Sequence, residues 1–110
     1  MTISTEERGS YAVIRVEGRL VASSAPAFRS SVQAAVDGGS PRVAVDLAAA
    51  SFVDSSGLGA LISGLKTARL AGGDLRITAV PESVRTVLRL TNLDRVLHAY
   101  ETPEAAFDAD

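Results

Sequence analysis

The run Val43 to Leu47 (VAVDL), two residues after Pro41, does most to fix what this chain can fold into. It is too short for a buried helix, and almost wholly apolar where a strand with one wet face would alternate. Both of its faces need cover, so it reads as the central strand of a sheet flanked by helices. The neighbouring segments supply that cover. Ser23 and Ser24 precede Pro26, a capping hydroxyl followed by proline in a first turn. Phe28, Val32, Ala35 and Val36 then recur at helical spacing until Gly38-Gly39. A second stripe, Leu58, Leu61, Ile62 and Leu65, falls at i, i+3, i+4 and i+7 and stops at Gly72-Gly73. Lys66 and Arg69 lie near its end, where cations suit the helix dipole.

The remaining segments complete an alternating order. Tyr11 to Glu17 is rich in β-formers and ends at Gly18; Ile3 to Glu7 can pair with it across Arg8-Gly9-Ser10. Leu75 to Val80 reads as a further strand. Pro81-Glu82 opens a third helix carrying Val84, Val87 and Leu88, which Thr91-Asn92 breaks. A short final strand is expected around Val96 to Ala99, then a last helix from Thr102-Pro103-Glu104 with Ala105, Ala106 and Phe107 available for docking. The predicted order is strand, strand, helix, strand, helix, strand, helix, strand, helix. It implies one α/β domain over residues 1–110, with a mixed, mostly parallel sheet of four to six strands and about four helices.

Composition removes several functions. Hydrophobic residues are 46% of the 110, aromatics only 5%, so the core rests on Val, Leu, Ile and Ala. The 11 Lys+Arg against 13 Asp+Glu leave a net charge of -2, without the basic footprint of nucleic-acid binding. With no Cys and one His, thiolate and histidine metal clusters are excluded, as is a Cys nucleophile. No apolar run approaches the ~20 residues of a membrane span. Met1 to Ser10 is polar and carries two Glu, unlike a signal peptide, so a soluble cytoplasmic protein is expected.

The chemistry-bearing segment is Asp54-Ser55-Ser56-Gly57-Leu58-Gly59. Either Asp54 or Ser55 can cap the helix that follows. Both serine hydroxyls then lie near unpaired backbone N–H groups, where an anion is favoured. Gly57 and Gly59 each weaken a helix by roughly 0.5–1 kcal/mol relative to Ala, so they serve something other than helix stability. Two explanations stand: close approach of another backbone from a partner, or a plain cap with glycines for helix–sheet packing. A Ser55–His98–Asp triad lacks the Gly-x-Ser-x-Gly elbow and an oxyanion hole. Gly59 to Lys66 only echoes a phosphate loop, without its Gly-Lys-Ser/Thr ending. Arg85, Arg89 and Arg95 read as a solvated face.

Asp54 to Gly59, preceded by Asp46-Leu47 and Ser51-Phe52-Val53, resembles the signature of the STAS domain, and most of all the bacterial anti-sigma-factor antagonists. The resemblance runs over essentially the whole chain. It includes the strand ending in Gly18, Gly72-Gly73-Asp74-Leu75, and the Pro81–Val84–Val87-Leu88 helix. It implies a binding module rather than an enzyme, without cofactor or metal. Its partner would be an anti-sigma factor that is also a serine kinase, with a phosphatase as counterpart. Ser55 matches the phosphorylated serine. The implied partner surface comprises Arg19, Val21, Ser23, Ser24, Asp54, Ser55, Ser56, Gly57, Leu58 and Gly59. The alternative within the same fold is a STAS subunit of a larger assembly, either a stress-signalling complex or a lipid-transport ABC system. One departure is plain: where the family often has Gly-Glu-Leu-Asp, this chain has Gly18-Arg19-Leu20-Val21. Arg19 and Val21 replace two acids.

Overall fold

A computed structural model describes residues 1–108. Strands β1 (Thr2–Glu7) and β2 (Ala12–Leu20) form an antiparallel hairpin. Helix α1 (Ala25–Asp37) leads to β3 (Arg42–Asp46) and β4 (Ala50–Val53), then α2 (Ser55–Leu70) and β5 (Asp74–Thr78). Helix α3 (Glu82–Leu90), a single 3-10 turn (Leu93–Arg95), β6 (Ala99–Tyr100) and α4 (Pro103–Ala106) follow. The sheet runs β1-β2-β3-β5-β6, with β4 paired to β2, and every pairing except β1 with β2 is parallel. The expected mixed, mostly parallel α/β sheet is what the chain forms, and β3 lies at its centre.

The strand pleat explains how the central run is covered. Val43 and Val45 join Ala12, Ile14, Phe28, Leu61, Leu65 and Ile77 in the main core beneath α1, α2 and α3. Ala44 and Val13, one residue out of phase, face the other way and are covered by Ala106 and Phe107 of the α4 segment, with Tyr11 and Tyr100 at the margin. The α2 stripe is core as read: Leu58, Leu61 and Leu65 are buried and Ile62 packs against them. Thr102 caps α4 through its hydroxyl, which accepts from the Ala105 N–H at 3.1 Å.

Four local readings need correction. Strand β2 does not stop at Gly18 but continues to Leu20; Gly18, at φ 93°, sits where the β2–β4 register shifts. The extra residue of that shift is Ser51, so the bulge lies in β4 and β2 carries on past it. Arg19 therefore belongs to a strand and not to a loop. Strand β4 was not predicted, because its Ser51 and Phe52 are both exposed and give no alternation. Ser24 occupies the N-cap position of α1, but its hydroxyl does not cap. It donates to the Arg19 carbonyl at 2.8 Å and accepts from the Val21 N–H at 2.9 Å. Finally, the segment before the last strand is the 3-10 turn, with Asn92 left-handed at φ 60°; Leu97 is buried, Val96 is exposed, and β6 covers only two residues.

Candidate functional site at the mouth of the second helix

The ends of β2 and β4 meet the start of α2 at one rim of the sheet. Asp54, extended at φ -94° and ψ -173°, is the N-cap; its carboxylate accepts from the Gly57 N–H at 2.8 Å. That resolves the choice between Asp54 and Ser55, and makes Ser55 the first residue of the helix proper. The Asp54 N–H donates to the Leu20 carbonyl at 3.2 Å, so the cap is tied to the neighbouring strand. A Cβ on Gly57 would lie 2.2 Å from that same Leu20 oxygen and 2.9 Å from Val53 Cγ1. The backbone that approaches Gly57 is thus the chain's own, which is the helix–sheet packing explanation. Gly59 differs: a Cβ there would meet nothing within 4 Å.

Exposure divides the segment. Ser55 and Gly59 face solvent, Asp54 and Ser56 are half-buried, and Gly57 and Leu58 are buried. At the end of β2 and in the connection to α1, Arg19 and Ser23 are exposed and Val21 and Ser24 half-buried. The fold therefore brings the two predicted stretches together, while turning Gly57 and Leu58 inward.

One residue of this rim escaped the sequence reading. Phe52 is 47% exposed, and the Arg19 guanidinium carbon lies 5.1 Å from its ring centroid, a cation–π distance. The parallel register pairs Arg19 with Phe52, and only recognition of β4 would have disclosed it. His98 is not brought to Ser55. It precedes β6, three places across the sheet from β2, about 14 Å at a strand spacing of about 4.8 Å. Its Nε2 sits 3.2 Å from the Arg95 carbonyl. Among the described residues no helix is long and apolar enough to cross a membrane.

Comparison with known proteins agrees with this architecture. A Thermotoga maritima protein provisionally named an anti-sigma factor antagonist is 38% identical over 56 residues, 51% of this chain and 50% of that protein. The chain thus spans about half the length of the curated relatives it matches. An anti-sigma factor antagonist from Mycobacterium paratuberculosis superposes with a TM-score of 0.85 at 28% identity, covering 98% of this chain and 92% of that one. The Bacillus cell fate determinant SpoIIAA in its phosphorylated form shares the fold, with a TM-score of 0.74 at 22% identity over 97% of each chain. The family description that matches, over residues 2–106, is the STAS domain. With its capped Asp-Ser-Ser-Gly helix set against a mixed sheet, this chain belongs to the STAS domain family.

Proposed function

We propose that this chain is a cytoplasmic anti-sigma-factor antagonist whose binding is switched by phosphorylation of Ser55. Dephosphorylated, it docks onto an anti-sigma factor that is also a serine kinase and so frees the sigma factor. Phosphorylated, it lets go. The observation that carries this reading is the position of Ser55, exposed on the first turn of α2, in a STAS chain whose structural relatives include a protein described as an anti-sigma factor antagonist. Ser56 is half-buried, which favours Ser55 as the residue a docking kinase reaches. Beyond the Asp54 cap, whose carboxylate takes the Gly57 N–H, the α2 first turn holds no acidic side chain, and the helix dipole tolerates an anion there.

A phosphoserine carries about -1.5 to -2 charge at pH 7. The helix mouth accommodates that charge, so the backbone stays as it is and the cost falls on the complex. A phosphate pressed against an acidic or closely packed partner costs several kcal/mol; about 3 kcal/mol already weakens binding roughly a hundredfold. Ser55→Ala is therefore expected to bind constitutively and Ser55→Asp poorly, as read by titration calorimetry against the anti-sigma factor. Incubation with that kinase and ATP, followed by peptide mapping, tests the site itself. Phosphate found on Ser56 alone would overturn the assignment, and co-purification with an ABC-type ATPase would move the protein into a larger assembly instead.

A further inference from the structure

We propose that the docking surface for the partner protein extends down α2 into an apolar groove, which receives an amphipathic helix edged with carboxylates. This rests on the docking surface read above at the α2 mouth and adds a second half to it, with a stated partner chemistry. The groove, about 340 Å³, lies between the C-terminal half of α2 and the end of the 3-10 turn. Ile62, Leu65, Leu70 and Val96 form it, with Lys66 and Arg69, both exposed, as its polar lining. Leu70 is 80% exposed and Val96 38%, so the walls are low. Low walls do not enclose the roughly 70–90% of a small ligand's surface that a pocket ordinarily buries. They suit an occupant that is itself part of a larger surface, the apolar face of a helix.

Helix geometry ties the groove to Ser55. With about 3.6 residues per turn, Ser55, Gly59, Ile62, Lys66, Arg69 and Leu70 fall within roughly 100° of arc on α2. Each is exposed or half-buried, so they form one outward stripe roughly 22 Å long. A helix laid along it meets the serine at one end and the groove at the other, and Gly59 between them presents no side chain. Charge then selects the occupant. From Ser55 to Leu70 the helix has no carboxylate, and its only charged side chains are Lys66 and Arg69. Lys66 makes no ion pair among the described residues. Arg69 gives its Nε to Asp74 Oδ1 at 3.2 Å and keeps its terminal nitrogens for another acceptor. The neighbouring carboxylates are engaged elsewhere. Asp74 accepts from Arg69 and Arg76, Asp37 accepts from Gln33, and Asp94 lines a separate cleft with Arg85 and Arg89. A second copy of the chain meeting this stripe with its own would set cation against cation. Glu or Asp beside the inserted apolar side chains meets Lys66 and Arg69 favourably instead.

The test uses the full chain and two synthetic helical peptides. Both carry a Leu stripe at i, i+3, i+4 and i+7; one flanks it with Glu and the other with Lys. Amide NMR spectra are followed as each is added at low salt. The Glu peptide should shift the Ile62, Lys66, Leu70 and Val96 signals, and the Lys peptide should not. Leu70→Ala should weaken binding of the Glu peptide roughly tenfold, as loss of one buried apolar side chain does. Lys66→Gln should narrow the difference between the peptides, and about 1 M salt should narrow it further. Both positions are exposed, so thermal melts of the variants should match the parent's. Equal response to the two peptides, or response to neither, would overturn the proposal. So would shifts at these residues with dodecanoate but not with the Glu peptide, the mark of a lipid site, or shifts that grow with protein concentration alone, the mark of a second copy. Peptide binding in a chain that no kinase modifies at Ser55 removes the switch and leaves the groove. Failure of the Glu peptide in a chain that is phosphorylated at Ser55 removes the groove and leaves the switch.

Discussion

At the scale of single residues, the two glycines of α2's first turns have opposite reasons to exist. Gly57 is required by the Leu20 carbonyl, which a Cβ would strike at 2.2 Å. Because the obstacle is backbone, relief needs the helix to move away from β2. Gly57→Ala is therefore expected to destabilise the protein by roughly 1–3 kcal/mol, the usual cost of overpacking. Gly59 has open space around its Cβ position, and Ala there should stabilise by roughly 0.5–1 kcal/mol through helix propensity alone. Urea melts of the two single variants check the pair, and equal effects would refute the distinction. From sequence the two positions look alike, each a glycine in a capped helix. What separates them is a strand end far earlier in the chain.

At the scale of elements, α2 both supplies Leu58, Leu61 and Leu65 to the core and carries the candidate site. Leu61 is fully buried against the sheet, and Leu61→Ala should cost about 2–5 kcal/mol, measurable in denaturant melts. Removing the cap is milder: Asp54→Ala loses one bond to a helix N–H, roughly 0.5–2 kcal/mol. It should also loosen the α2 start without touching the core, which hydrogen exchange confined to residues 55–58 would reveal. The helix was legible because the i, i+3, i+4, i+7 stripe is a local property. Strand β4 was not, since its exposed Ser51-Phe52 pair makes sense only beside β2. Ser24 shows the same limit: a serine before proline announces a helix start, but its hydroxyl is drawn to Arg19 and Val21 by the shape of the turn.

At the scale of the whole molecule, the partner surface proposed at the α2 mouth is separable from the fold. Gly59→Trp places a large side chain into open space, so the melting temperature and circular-dichroism spectrum should stay near those of the parent. Binding to the anti-sigma factor should nonetheless be lost in a pull-down with purified components; unchanged affinity would shift the interface elsewhere. The core itself should be most protected at β3, enclosed by α1 and α2 on one face and by Phe107 on the other. The slowest amide exchange is expected at Val43 to Val45. By itself the sequence determined the α/β class, the central place of Val43–Leu47, the buried face of α2 and the STAS resemblance, because these rest on local periodicity and a contiguous motif. Only the tertiary structure decided that β2 runs on to pair with β4, that Gly57 is filled by Leu20, and that Arg19 lies on Phe52. Those are contacts between segments far apart in the chain, and no local pattern of side chains specifies how such segments meet.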